Sequence, residues 1–191
     1  MARLRIFLAL ELDDAVRQNV VVLQRALGQK ALSVKWVEPQ NLHLTLLFLG
    51  DVEDRELHGL FRVVTRVAAR HEPIALRLGG VGAFPTPRRP KTVWAGVTGG
   101  VAELQRLYAD LEVPLQELGC YRREERAYTP HLTLGRAGGD EDSEALALEL
   151  PAHAAWNGGL VNVEELVIFS SELRRAGPEH SVVGRAPFSA E

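Results

Sequence analysis

The stretch NLHLTLLFLG at residues 41–50 contains the tetrapeptide His-Leu-Thr-Leu, and TPHLTLGR at residues 129–136 contains it again. The two copies begin at residues 43 and 131, an offset of 131 − 43 = 88 residues. Histidine occurs only six times in the 191 residues, so two histidines in identical contexts require an explanation. Duplication of one structural unit within the chain would provide it.

The elements predicted around the two copies follow the same order. In the first half, a strand (RIFLALEL) and a helix (DDAVRQNVVVLQRALG) precede the strand of His43. In the second half, the strand TVWAGVTG and the helix VAELQRLYADLEVPLQELG, with a kink expected at Pro114, precede the strand of His131. Phe7 lies 43 − 7 = 36 residues before His43, and Trp94 lies 131 − 94 = 37 residues before His131.

The remaining segments complete an α+β pattern with an internal duplication. DVEDRELHGLFRVVTRVAARH predicts a helix, and IALRLGGVGAF, VNVEELVIFSSEL and HSVVGRAPF predict strands. DEDSEALALEL has leucines that alternate as in a strand, and only the comparison with the first half favours a helix. FPTPRRPKT, rich in proline and basic residues, predicts a crossing between two lobes.

These elements predict the fold class. We expect one bilobal α+β fold with an internal duplication. Residues 1–191 would form a single domain, with repeat halves at about 1–84 and 91–191 and a connector at about 84–91.

Composition narrows the classes of function. With 46% hydrophobic residues the chain can bury a core, and a net charge of −3 disfavours coating a long nucleic acid but allows one nucleic-acid end as substrate. The single cysteine, Cys120, excludes an internal disulfide and has no CxxC partner. No stretch approaches the roughly 18 apolar residues of a membrane span, so we expect a cytoplasmic monomer without a membrane partner.

The strand period determines what each motif presents. Residues i and i+2 of a strand share a face, so His43 lies beside Thr45, and His131 beside Thr133. The opposite face is expected to meet the core through Leu42, Leu44, Leu46, Phe48, Leu132 and Leu134. If the two strands meet across a pseudo-twofold axis, two imidazoles and two hydroxyls converge on one point.

Such a set suits phosphoryl transfer. One imidazole can take a proton from the nucleophile while the other gives a proton to the leaving oxygen, and the hydroxyls can bind the remaining oxygens. No metal or cofactor is needed for these roles. Because the chain has no GxxxxGK[ST] loop for activating a phosphate, a substrate with an internal electrophile, such as a cyclic phosphodiester, is expected.

Three other interpretations of the histidines are weaker. A single HxT would most often be structural, but two identical copies on matching elements favour function. A metal site lacks both HExxH and a carboxylate at ligand spacing. A hydrolytic triad lacks GxSxG, and Cys120 has no paired motif.

The chain resembles the bacterial and archaeal RNA 2′,3′-cyclic phosphodiesterases, also called 2′-5′ RNA ligases, of the two-histidine phosphoesterase superfamily. The resemblance lies in RIFLAL, VKWVEPQNLHLTLLFLG, AFPTPRRPKTVWAGV, YTPHLTLGR and the tail SSELRRAGPEHSVV. In that tail Ser171, Leu173 and Gly177 fit the family pattern. His180 stands where the family has a tyrosine.

The resemblance implies a bilobal two-histidine phosphoesterase fold, with two pseudo-symmetric lobes of mainly antiparallel sheet flanked by helices, that forms a single catalytic domain. It also implies hydrolysis of a terminal 2′,3′-cyclic phosphate of RNA to a 2′-phosphomonoester. By motif position, His43 would be the proton donor to the 3′ oxygen and His131 the acceptor that activates water, with Thr45 and Thr133 binding phosphoryl oxygens. Substrates would be RNA ends, tRNA fragments among them. The reverse reaction would join ends by a 2′-5′ linkage without ATP.

Secondary candidates accompany the motifs. Arg136 follows Thr133 by three residues and would meet phosphate, while Tyr128, Phe7 and Trp36 would stack on the terminal base. Basic residues that would line a cleft are Arg88, Arg89, Lys91, Arg122, Arg123 and Arg126. His58, His71 and His153 are expected to be ordinary surface residues.

Two alternative functions remain open. One is an RNA-end binding module that keeps the cleft without turnover. The other is a phosphodiesterase acting on a small cyclic nucleotide or on ADP-ribose cyclic phosphate.

Overall fold

The computed structural model describes residues 3–122, 127–174 and 177–189. Its strands are β1 (Arg3–Glu11), β2 (Lys35–Trp36), β3 (His43–Glu53), β4 (Ile74–Thr86), β5 (Arg89–Gly99), β6 (His131–Arg136), β7 (Asn157–Val163), β8 (Glu165–Arg174) and β9 (Gly177–Pro187). Its helices are α1 (Asp14–Leu27), α2 (Asp54–Ala68), α3 (Val101–Glu117) and α4 (Asp140–Glu149), with short 3₁₀ turns at Pro39–Asn41 and Leu150–His153. The predicted α+β class is confirmed.

Several boundaries follow from local chemistry. Asp13 caps α1 by accepting a hydrogen bond from the Val16 amide at 2.8 Å. The helix α2 begins at Asp54, later than predicted, because residues 51–53 extend β3 in register with β1. The helix α3 runs through Pro114 from Val101 to Glu117 without an interruption. The segment 140–149 is a helix, as the repeat predicted, whereas VNVEELVIFSSEL divides at Glu164 into two strands.

The strands form one antiparallel sheet in the order β7-β4-β5-β6-β3-β1-β8-β9, with β2 paired to β6. We call β3, β1, β8 and β9 the first sheet half, and β6, β5, β4 and β7 the second sheet half. The two halves meet where β3 and β6 share a single registered pair, Leu44 with Leu132. The motif strands therefore form the junction between the sheet halves.

The prediction that residues 84–91 cross between lobes was wrong. These residues form the end of the β4–β5 hairpin, with Thr86 paired to Arg89. The prolines mark a turn and a local irregularity of pairing at Phe84 and Pro85, since proline cannot donate to the ladder. As a result the sheet halves interleave along the chain: β4 lies with β5–β7, and β8 and β9 return to β1.

Two apolar clusters lie on opposite faces of the sheet. The main core is covered by helices, with α2 against β3, β8 and β9, α1 against β6 and β7, and α4 against β5. A small separate cluster comprises Phe7, Ala9, Val167 and Phe169, on the histidine face of the first sheet half. Within the described ranges, no helix is both long and apolar enough to cross a membrane.

Candidate active site

The junction pair places the four polar motif residues on one face. Leu44 and Leu132 are both buried and lie opposite each other, so their side chains share the core face. Their neighbours on each strand point to the other face, and His43, Thr45, His131 and Thr133 are all partly exposed there. Because the strands are antiparallel about this pair, the local symmetry is twofold.

Each motif strand carries a β-bulge directly after its threonine. The flanking pairs are Thr45 with Ala9, Leu47 with Leu8, Thr133 with Trp94, and Gly135 with Val93. Leu46 and Leu134 are the extra residues. The buried Gln24 of α1 donates its side-chain amide to the Leu134 carbonyl at 2.9 Å, and the Val37 amide also donates to that carbonyl at 2.9 Å. The bulge in β6 is therefore held by specific hydrogen bonds.

The bulges change which side chains reach the histidine face. A bulge shifts the alternation of side chains by one residue. Phe48, at 43 + 5, therefore lies on the face of His43, and Arg136, at 131 + 5, lies on the face of His131. Both side chains are exposed. The prediction that Phe48 belongs to the core was wrong, since its side chain is 56% exposed. The same shift places the candidate phosphate ligand Arg136 on the side of the motif residues.

His131 contacts a nearby backbone carbonyl and two aromatic rings. Its Nδ1 lies 2.7 Å from the Thr129 carbonyl oxygen, which can only accept, so Nδ1 carries the hydrogen. Nε2 is then free to accept a proton when the ring is neutral. Phe84 meets the His131 ring edge-on at 5.0 Å, and Trp94 lies at 6.2 Å. Gly82 admits the indole, because a Cβ there would lie 2.3 Å from Trp94.

His43 is surrounded by a different set of rings. Phe7 lies 4.9 Å away, Phe169 lies 5.8 Å away, and His180 meets it at 5.3 Å with an interplanar angle of 82°.

The environment of His43 favours its neutral form. Burial, together with a smaller effect of the neighbouring His180, lowers the pKa of His43 from 6.5 to about 4. The backbone of Asn41 and the carboxylate of Glu11 oppose this effect. His43 is therefore neutral in the free protein at pH 7.

This lowered pKa predicts a pH dependence of stability. The unfolded chain binds the proton on His43 near pH 6.5 and the folded chain only near pH 4, so acidification through that window favours unfolding. The contribution is about 3 kcal/mol. We expect urea unfolding between pH 7 and pH 4 to show a smaller loss of stability in His43→Gln than in wild type. Equal losses in both proteins would contradict the assignment.

Two further candidates have structural contacts. The Tyr128 ring stacks on Tyr108 at 4.5 Å, and its hydroxyl donates to the Thr45 carbonyl at 3.3 Å. Trp36 packs so closely that a Cβ at Gly28 or Gly135 would approach its ring at 3.1 or 2.7 Å. Both side chains support the motif strands.

Phe7 is buried below the histidine face. Its side chain is only 2% exposed and lies between the rings of His43, Phe169, Phe48 and His180. The aromatic ring that is exposed on the histidine face is that of Phe48. Phe7, which was expected to stack on the terminal base, supports this face from below.

Most of the other basic and histidine candidates have exposed side chains. Arg88, Arg89 and Lys91 are exposed along the end of the β4–β5 hairpin, and Arg122 is exposed, whereas Arg123 and Arg126 lie outside the described residues. His58 is exposed. His71 is not an ordinary surface residue: it is 9% exposed and its Nε2 lies 3.0 Å from Asp110. Its role is to join α2 to α3.

Sequence reasoning missed the aromatic residues around the histidines. Phe84, Trp94 and Phe169 gave no signal, because aromatic residues in strands usually belong to a core.

Cys120 is buried, and burial raises the pKa of its thiol, which opposes a nucleophilic role. Among the residues that the structure describes, no group of three or more His, Cys, Asp or Glu side chains could hold a metal ion.

Solved structures share this architecture. TT0787 of Thermus thermophilus is 28% identical, with a TM-score of 0.79 and coverage of 96% of this chain and 97% of that chain. Escherichia coli LigT complexed with 3′-AMP is 24% identical, with a TM-score of 0.81 over 99% of this chain and 100% of that one, which shows the fold alone. The bilobal two-histidine phosphoesterase fold predicted from the sequence is confirmed.

Sequence comparison defines the family. The model of the 2′-5′ RNA ligase superfamily matches residues 12–175, and the chain belongs to this family. A protein of Methanothermobacter thermautotrophicus called RNA 2′,3′-cyclic phosphodiesterase is 37% identical over 178 residues, 92% of this chain and 94% of the relative. A protein of the same name from Archaeoglobus fulgidus is 38% identical over 133 residues, 70% of this chain and 72% of the relative.

Proposed function

We propose that this protein hydrolyses the terminal 2′,3′-cyclic phosphate of RNA to a 2′-phosphomonoester. The observation that carries the proposal is the pairing of two His-Leu-Thr-Leu strands, which puts two imidazoles and two hydroxyls on one exposed face. The names of the relatives, RNA 2′,3′-cyclic phosphodiesterase, support the same reaction. The RNA ends would include tRNA fragments.

His131 is the proton acceptor in this proposal. Its Nδ1 hydrogen is bound by the Thr129 carbonyl, so Nε2 faces outward with a lone pair. Nε2 takes a proton from water as the water oxygen bonds to phosphorus. This role requires the neutral ring, which the carbonyl contact orients.

His43 is the proton donor to the 3′ oxygen. As the bond from phosphorus to the 3′ oxygen breaks, the imidazolium gives its proton to that oxygen, and the phosphate stays on the 2′ oxygen. Because the pKa of His43 in the free protein is about 4, the proton must be acquired with the substrate. The negative charge of the cyclic phosphate favours the imidazolium, so binding and protonation are coupled.

The remaining groups bind substrate. Thr45 and Thr133 offer hydroxyl donors to the non-bridging oxygens, and Arg136 adds a cation on the same face. Phe48, at the equivalent position of the other motif strand, offers an exposed ring to the terminal base. The two motif strands thus supply one charged and one aromatic contact.

The proposed chemistry uses only side chains of this protein. Proton transfer by two imidazoles needs neither a metal ion nor ATP, because the strained ring of the cyclic phosphate supplies the driving force. With an RNA 5′-hydroxyl replacing water, the same groups would form a 2′-5′ linkage. Ligation is therefore proposed as a second outcome of the same ring opening, in which the 5′-hydroxyl bonds to phosphorus and the 3′ oxygen leaves.

End-group analysis tests the proposal. We expect the protein, in EDTA, to convert an RNA oligonucleotide with a 2′,3′-cyclic phosphate to a product with a terminal phosphomonoester. Phosphatase should remove that phosphate, and the product should match a 2′-phosphate standard. His58→Ala, altered on an exposed helix face, should give the same product at the same rate. A 3′-phosphate product would contradict the assigned bond cleavage. Binding without product would favour an RNA-end binding module, and turnover of small cyclic nucleotides alone would favour that substrate class.

A further inference from the structure

His180 lies in the environment of His43 although it belongs to the last strand. It pairs with Ser171 of β8, two residues beyond the pair of Phe169 with Val182. Its ring meets Phe7 edge-on at 5.0 Å and His43 at 5.3 Å, with interplanar angles of 74° and 82°.

The polar atoms of His180 are incompletely satisfied. Its Nδ1 is buried and has no hydrogen-bond partner among the described residues. Buried polar atoms are nearly always paired, because an unpaired one retains the cost of lost hydration. The side chain as a whole is only partly buried, so the ring reaches the surface where substrate would lie.

A hydrogen bond joins β9 to the chain just before β3. The side-chain amide of Asn41 donates to the Pro178 carbonyl at 3.3 Å, two residues before His180 on β9. Asn41 ends the 3₁₀ turn that precedes His43 by two residues. This contact therefore holds the start of the His43 strand beside the strand that carries His180.

Most of the charged side chains around His43 and His180 form ion pairs. Arg185 of β9 binds Glu11 of β1 at 2.7 Å and also Glu165 of β8, and Arg174 binds Glu172 at 3.1 Å and Glu179 at 2.5 Å. Arg5 of β1 is exposed on the same face. Arginines engage these carboxylates, and a proton on one imidazole disfavours a proton on the other, since like charges at this distance repel.

We propose that His180 is a positioning residue for the proton donor: its ring holds the edge of His43 and takes the first proton of the pair, so that His43 becomes charged only when a phosphate anion binds. Burial lowers the pKa of His180 as well as that of His43, and His180 in turn lowers that of His43. The two rings then titrate as a coupled pair. This inference deepens the proposed function.

NMR titration of the imidazole resonances in the free protein is the direct test. In wild type, the His180 resonances should shift before those of His43 as the pH falls. In His180→Gln, and in His180→Tyr, which keeps an aromatic ring without an imidazole, the pKa of His43 should rise by about one unit, since the repelling charge is gone. An unchanged pKa of His43 in both variants, or a first proton on His43 in wild type, would overturn the proposal. This test needs no activity, so it is independent of the proposed reaction.

The pH profile separates positioning from a structural effect. On the cyclic-phosphate oligonucleotide, the limb of the kcat/KM profile that reports the donor should move to higher pH by about one unit in both His180 variants, because kcat/KM reports the free-enzyme pKa values of the catalytic acid and base. His58→Gln should leave the limb in place. A uniform loss of rate at every pH, with the limb unmoved, would show that His180 only packs against its neighbours.

Discussion

His131→Ala should lower the rate of cyclic-phosphate hydrolysis by about 10² to 10⁴, the usual contribution of a general base. The ring is partly exposed and its Nδ1 bonds a local carbonyl, so its loss removes the acceptor with little effect on the core. The measurement is single-turnover cleavage of a labelled oligonucleotide in EDTA. Added imidazole should restore part of the rate, because it can enter the space left by the side chain and accept the proton.

The control for His131→Ala is the urea unfolding midpoint, which should stay near that of wild type. His58→Ala, altered on an exposed face of α2, should retain full activity under the same conditions. If His131→Ala hydrolyses the substrate as fast as wild type, His131 is not the base.

His43→Ala should be equally slow on the natural substrate but should recover on a modified one. A substrate with sulfur in place of the 3′ oxygen has a leaving group that departs as a thiolate and needs no proton. The deficit of about 10² to 10⁴ expected from loss of a general acid should therefore shrink to about tenfold or less. His131→Ala should show no such recovery, because water must still lose its proton.

This pair of variants also tests the direction of proton transfer. If the sulfur substrate rescues His131→Ala and not His43→Ala, the two roles are reversed. If it rescues neither, proton transfer to the 3′ oxygen does not limit the rate. The comparison is needed because the twofold relation of the motifs assigns no direction.

The asymmetry between the two histidines comes from their surroundings. Both motif strands have the same bulge and the same burial sequence over six residues. Yet His43 lies among Phe7, Phe169 and His180, whereas His131 faces Phe84 and Trp94. The lowered pKa of His43 therefore comes from burial and from a neighbouring charge that lie outside the motif itself, because desolvation and nearby charge determine the pKa.

The repeated motif and the local directions of its side chains could be predicted from the order of the amino acids alone. Strand alternation is a property of the backbone, so His43 with Thr45, and His131 with Thr133, could each be assigned to a common face. The order of strands and helices around each copy also followed from apolar periodicity and capping residues, including Asp13 at the start of α1.

The return path of the chain and the side chains that surround the motifs depend on tertiary contacts. Strand pairing joins residues far apart in sequence, so the β4–β5 hairpin was mistaken for a connector, and β8 and β9 could not be placed beside β1. The bulges after Thr45 and Thr133 arise from pairing with β1 and β5, and they alone turn Phe48 and Arg136 to the histidine face. The contact of His180 with His43 likewise exists because strands distant along the chain become neighbours in the sheet, where burial and charge act over a few ångströms.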